Sequence, residues 1–196
     1  KINPSNSEHN RFVMSRILIV GFDFIRNEYP KIPYSIASII ASLQKDKSTN
    51  VDYLPIDLKE LANLDYPSVN QSCLKVFEDF IAEKFDSYSS IIFGVYAWSY
   101  DFTKEIISRL RQDYHGKIIL GGYEITAQDD SRLKNDFPDV NFFIKNYAEE
   151  SLKKVLFGDP KNHIVDSNIV SEELESPYLS ETIKIDTSNN NRYNDK

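Results

Sequence analysis

Short, unbroken apolar runs that alternate with stripes at helical spacing constrain this chain more than any other feature. Arg16-Ile-Leu-Ile-Val-Gly-Phe22 lacks the period-two alternation of a half-solvated strand, so it predicts a strand covered on both faces and ended near Gly21. Ile36, Ile39, Ile40 and Leu43 then recur at helical spacing over residues 33–44, with Pro33 tolerated in the first turn. Residues 51–56 read as a second strand. A second helix starts near Pro67 and Ser68 and carries Val69, Cys73, Val76, Phe77, Phe80 and Ile81 on one stripe. Residues 91–96 predict the third strand, 101–114 the third helix, and 117–120 a fourth strand stopped by Gly121-Gly122. A weaker helix follows over 126–137, then a fifth strand over 140–144 and a fifth helix over 148–157. Five β-α units joined by right-handed crossovers predict an α/β, doubly wound, three-layer α/β/α sandwich on a five-stranded parallel sheet of order 2-1-3-4-5.

The 196 residues suit one such domain with appendages, and 41% hydrophobic residues suffice for its core. Residues 1–14 are expected to be an N-terminal extension and 15–158 the α/β domain. Residues 159–185 are expected to pack on the domain or leave it. The Asn-, Asp- and Ser-rich residues 186–196 are expected to form a disordered tail or linker. A net charge of −7 without a Lys/Arg cluster argues against a nucleic-acid partner. The longest apolar runs are too short to span a bilayer, so no membrane partner is expected. One cysteine, Cys73, makes no internal disulfide and no iron–sulfur site by itself. A cytoplasmic location is the expectation.

Open parallel sheets bind ligands outside the carboxyl ends of their strands, where the winding reverses. Four loops converge there: residues 22–32, 96–100, 121–126 and 146–149. Asp23, Arg26, Glu28 and Lys31 make the first of them charged, and Tyr96, Trp98 and Tyr100 crowd the second, where exposed rings suit a large planar ligand or a protein while buried ones would cap the core. Gly121-Gly122 serves either a close ligand approach or a tight turn. No Gly-rich phosphate loop follows the first strand, and His9, His115 and His163 lack metal-ligand spacing. No nucleophile elbow occurs, and Cys73 on its helical stripe reads as a core residue. No catalytic residue is assigned, and no metal ligand comes from protein side chains.

Ile91-Ile-Phe-Gly-Val-Tyr-Ala-Trp-Ser99, Ile118-Ile-Leu-Gly-Gly-Tyr-Glu124 and Asn146-Tyr-Ala-Glu-Glu150 resemble, in order and spacing, segments of the N-terminal cobalamin-binding domain of radical S-adenosylmethionine enzymes. Pro33-Tyr-Ser-Ile-Ala-Ser-Ile-Ile-Ala-Ser-Leu43 looks like the first helix of that family, and Ser176-Pro-Tyr-Leu179 like its hand-over to the radical domain. The resemblance covers about residues 15–182. It implies that the corrin lies across the strand ends while the nucleotide tail is threaded beside the sheet. By that implication the cofactor is lined by Phe22, Asp23, Tyr29, Pro33, Tyr96, Ala97, Trp98, Ser99, Gly121, Gly122, Tyr123, Glu124, Asn146, Tyr147, Ala148 and Glu149. The Asp-x-His-x-x-Gly signature is absent, since the first loop reads Asp23-Phe-Ile-Arg-Asn-Glu28, so the implied cobalamin has no histidine lower ligand.

The family's Gly-Gly-Pro-Glu appears here as Gly121-Gly-Tyr-Glu124, and its Gly-Glu-Gly-Glu as Asn146-Tyr-Ala-Glu149. Asn146, Tyr147 and Tyr123 are therefore candidates to fill the tail's space. No Cys-x-x-x-Cys-x-x-Cys occurs, so the chain alone cannot cleave S-adenosylmethionine. Three readings follow. One is a cobalamin-binding module of the methyl-transfer type, part of or partner to a radical S-adenosylmethionine protein. A second is a cofactor-free relative acting as an accessory or interaction subunit, and a third a small-molecule enzyme using Asp23, Glu124 and Glu149. On the first reading, a valine at position 122 is expected to obstruct the corrin and leave the fold intact.

Overall fold

The computed structural model describes residues 15–24, 32–45, 49–59, 66–81, 87–158 and 160–167. Tyr29, the charged side chains Arg26, Glu28 and Lys31, His9, and the expectations for residues 1–14 and 168–196 lie outside them. The elements run β1 (Ser15–Asp23), α1 (Tyr34–Gln44), β2 (Thr49–Asp57), α2 (Tyr66–Ile81), β3 (Ser90–Gly94), α3 (Tyr100–Leu110), β4 (Lys117–Gly121), α4 (Tyr123–Ala127), α5 (Asp130–Asp136), β5 (Phe142–Asn146), α6 (Ala148–Phe157) and β6 (Ile164–Ser167). They form a doubly wound α/β/α sandwich. Its sheet is parallel throughout, with order β2-β1-β3-β4-β5-β6.

Alternation along each central strand builds two cores. Leu18, Val20, Phe22, Ile91, Phe93, Ile118 and Leu120 face α2, α3 and α5 with Cys73, Phe77 and Ile106. Ile17, Ile19, Ile92, Ile119 and Ile144 face α1 and α6 with Ile36, Ile40, Leu43, Leu152 and Val155. Each isoleucine removed from water in this way contributes about 1.5–3 kcal/mol, so the strands' near-continuous apolar sequence is the direct consequence of double coverage. Pro55 is tolerated because β2 is an edge strand.

The sheet has six strands, not five. Ile164–Ser167 pairs with β5 from within the segment expected to be an extension. The crossover that delivers it is unusual. From β5 to β6 the chain advances across the sheet in the direction of β3 to β4, yet α6 packs on the face opposite α3. That connection therefore has the opposite hand to β3-α3-β4, against a strong general preference. Its gain is that α6 covers Ile119 and Ile144 beside α1.

The weak helix expected over 126–137 is two short ones. Gln128 is extended between them, and Lys145 fixes the break by donating from Nζ to the Gln128 carbonyl at 2.7 Å and to Asp130 at 2.8 Å.

Cys73 is fully buried on α2, and burial pushes its thiol up to about 11. Native protein at pH 8 is expected to react with a disulfide reagent roughly a hundredfold more slowly than protein unfolded in guanidinium. Equal rates would remove Cys73 from the core.

Candidate functional site

The three central strands carry the same triplet toward their carboxyl ends: Ile19-Val-Gly21 in β1, two residues before its end, and Ile92-Phe-Gly94 and Ile119-Leu-Gly121 closing β3 and β4. In register, Ile19, Ile92 and Ile119 form one rung facing α1 and α6, and Gly21, Gly94 and Gly121 form the last rung that the three strands share on the same face. The face of these three strands is thus paved with isoleucine up to their last common step, where side chains stop. Over Gly21 the gap is closed by Tyr53 of β2, whose hydroxyl oxygen would lie 2.8 Å from a Cβ placed there. Burial first, then Asp23 and Tyr96, raises the pKa of that phenol.

Over Gly94 and Gly121 the gap stays open. A Cβ at Gly94 would find nothing nearer than Ile36 Cδ1 at 3.7 Å, and one at Gly121 nothing nearer than the Ile144 carbonyl at 3.8 Å. The result is a cavity of about 300 Å³, the lower end of the range for small-molecule pockets. Its floor is the isoleucine and glycine rungs. One wall is α1, through Tyr34, Ser35, Ile36, Ser38 and Ile39; the other is the start of α6, through Ala148, Glu149 and Leu152. Tyr96, Gly122, Asn146 and Tyr147 stand at the strand ends around it.

Seven of the sixteen residues expected at the site line this cavity: Tyr96, Gly121, Gly122, Asn146, Tyr147, Ala148 and Glu149. Ala97 and Trp98 stay at the strand ends. Trp98 stacks on Tyr96 with centroids 4.8 Å apart, meets Phe24 edge-on, and donates from Nε1 to the Phe22 carbonyl at 3.1 Å. This tie holds the end of β3 against the end of β1, and leaves about half of Trp98 exposed. Pro33 caps α1, and its carbonyl accepts the Ala37 N–H at 2.9 Å.

Other candidate side chains are engaged away from the cavity. The Phe22 side chain is fully buried on the opposite face of the sheet, because residue 22 is one step out of phase with Gly21. Ser99 is fully buried as well. Its hydroxyl accepts the Tyr96 N–H and donates to the Tyr96 carbonyl, holding a single 3-10 turn. Tyr100 caps the core: its hydroxyl donates to Asp136 at 2.8 Å and its ring meets Phe137 edge-on. Asp23 accepts its neighbour's N–H at 2.7 Å, and Glu124 accepts a short hydrogen bond from Gln128. Glu149 alone of the three candidate carboxylates lines the cavity.

The residues suspected of filling the space do not fill it. Tyr123 is 76% exposed, and Tyr147, at 48%, sits at the mouth. Asn146 adopts φ 63°, a left-handed conformation that asparagine tolerates better than most side chains. Its N–H donates to Thr126 Oγ1 and its Nδ2 to Asp166. Asparagine here thus supplies the backbone turn of a glycine while its side chain is held outward against Asp166.

Gly122 plays a different part from the one expected of it. Its φ is 109°, and a Cβ would lie 2.6 Å from the Val95 carbonyl oxygen and 2.8 Å from the Val95 nitrogen. Any side chain would collide with the end of β3 before it reached a ligand.

Solved structures share this architecture. The radical S-adenosylmethionine methyltransferase TsrM from Kitasatospora setae, with tryptophan substrate and the S-adenosylmethionine analogue aza-SAM bound, superposes with a TM-score of 0.52 at 16% identity over 76% of this chain. A second structure of TsrM, with cobalamin and a [4Fe-4S] cluster bound, gives 0.49 at 15% over 74%. At such identity the likeness establishes the fold. The chain spans about a quarter of that enzyme's length, covering 27% and 26% of the two structures. Neither a family model nor a curated protein matches the sequence.

Among the described residues, no helix is long and apolar enough to cross a membrane, and no three His, Cys, Asp or Glu side chains are grouped to hold a metal ion. His115 and His163 lie before β4 and β6, at the amino edge of the sheet and away from the cavity.

Proposed function

We propose that this domain binds a corrinoid and works with a radical S-adenosylmethionine protein or domain in a methyl-transfer reaction. The observation that carries this reading is the cavity over Gly94 and Gly121, an apolar slot between α1 and α6 that opens onto the strand ends. Its residues fit the group. The isoleucine rung and Leu152 would exclude water from a flat, apolar lower base, and the side-chain-free rung would let that base lie against the backbone. Outside the mouth, the Tyr96–Trp98 stack offers an apolar surface to the rest of the corrinoid. Cobalamin, when bound, supplies a carrier for a methyl group. TsrM, whose fold this chain shares over about a quarter of that enzyme's length, has been solved with cobalamin bound.

Two features support a partner. Cys73 is the sole cysteine in the 196 residues and is buried on α2, so a cluster that cleaves S-adenosylmethionine would be held elsewhere. Phe24, Trp98 and Tyr123 are also exposed at the strand ends, the residue types favoured at interfaces.

Purified protein mixed with hydroxocobalamin and then desalted is expected to retain a corrin spectrum. With the base in the slot, that spectrum is expected to be of the base-off type, and His115 and His163, at the far edge, are expected to leave cobalt alone. Complete loss of the corrin from protein that remains folded by circular dichroism would favour the cofactor-free accessory reading instead.

A further inference from the structure

The deep end of the cavity differs chemically from its mouth. Polar groups gather at the mouth: Tyr34 and Tyr147 are about half exposed, Glu149 is partly exposed, and Asn146 is engaged with Asp166 and Thr126. The deep end is isoleucine, leucine and glycine, with one exception. Ser38 of α1 lines the cavity at 8% exposure, and its hydroxyl has no hydrogen-bond partner among the described residues.

A helical serine or threonine commonly satisfies itself on the carbonyl four residues back. Thr103 does so here, donating to the Ser99 carbonyl at 2.8 Å. Ser38 instead presents a free donor to an otherwise apolar chamber. Unlike the enclosed hydroxyls of Ser42, Thr49 and Ser151, this one opens onto the cavity, and one neutral donor matches one acceptor.

Resting on the corrinoid reading above, we infer that this cavity selects corrinoids by their lower base. It takes a benzimidazole-type base, apolar over its rings and carrying one free acceptor nitrogen, with Ser38 as the donor to that nitrogen. It discriminates against purine-type bases, whose exocyclic amine and additional ring nitrogens would lose water and find no partners at the deep end. Sites lined this way reject ligands by the polar atoms they leave unpaired more strongly than by shape.

Titrations followed in the visible would use three probes: hydroxocobalamin, the corresponding adenine-based cobamide, and cobinamide, which lacks the nucleotide tail. Cobalamin is expected to bind at least roughly tenfold more tightly than the adenine form. Ser38→Ala is expected to weaken cobalamin by roughly three- to tenfold and leave cobinamide unchanged. Thermal melting reports separately that this variant stays folded, since alanine suits a helix at least as well as serine. Equal affinity for cobalamin and the adenine form, both tighter than cobinamide, overturns the inference and leaves the corrinoid reading standing. An equal effect of Ser38→Ala on cobalamin and cobinamide removes Ser38 from the base. Binding of none of the three overturns the corrinoid reading and the inference with it.

Discussion

Gly122→Val is expected to destabilise the fold strongly, not to leave an intact fold with a blocked site. At φ 109° a β-branched side chain is strained by the backbone alone, and its Cβ would be 2.6 Å from the Val95 carbonyl oxygen, which is rigid sheet backbone and cannot swing away. Val95 N–H donates to the Gly121 carbonyl at 2.8 Å and its own carbonyl accepts the Glu124 N–H at 3.2 Å, so displacing it breaks the junction of β3, β4 and α4. Strain of about 1–3 kcal/mol from the dihedral and a similar amount from overpacking give a loss of about 2–6 kcal/mol. That is a large share of the stability of a domain this size, about 5–15 kcal/mol. Urea unfolding followed by circular dichroism checks it: the midpoint should fall sharply, and Gly122→Ala should lose most of the same amount because the clash begins at Cβ. A Gly122→Val midpoint close to the parent's would show that the β3 end yields. Lost cobalamin binding in this variant would therefore report damage to the fold.

The layers and the five principal strands were legible because double coverage forces apolar runs at 16–22, 91–95 and 117–120, and helical stripes between them. What escaped has physical reasons. The strand Ile164–Ser167 is four residues long and contains Asp166, so it makes no apolar run, and its crossover has the hand that general rules disfavour. The break at Gln128 is fixed by Lys145, seventeen positions away in sequence, which no local pattern carries.

Loop residues were favoured as ligand contacts, yet much of the cavity is walled by α1 and by isoleucines that read as ordinary core. Trp98 and Ser99 have adjacent positions and opposite fates, because the turn points one ring outward and spends the other side chain on its own backbone. A signal for the cavity was nonetheless present. Three strands of one sheet carry Ile-x-Gly at or near their carboxyl ends, and parallel pairing brings those glycines to one rung. The sequence does not say which of the three glycines a neighbour fills; Tyr53 decides that from β2.

Gly121→Leu is the variant that separates cavity from fold. Gly121 lies in the strand, has no positive φ, and would place its Cβ at ordinary contact distance from Ile144, pointing toward the open slot. Replacing this strand-terminal glycine gains up to about 0.5–1 kcal/mol of backbone entropy, and the leucine adds apolar contacts in the slot, so its urea midpoint should equal or exceed the parent's. Cobalamin should suffer, because the space for its base is then occupied. A lower base that buries on the order of 100 Å² contributes roughly 2.5–3 kcal/mol, so its exclusion should weaken cobalamin by about a hundredfold while cobinamide keeps its affinity. Gly94→Val, with its Cβ 3.7 Å from Ile36 Cδ1, should act in the same direction from the other side of the floor. Folded Gly121→Leu protein that binds cobalamin as tightly as the parent would place the base outside this slot, and the aromatic surface at Tyr96 and Trp98 would then be the remaining place for a corrinoid to rest.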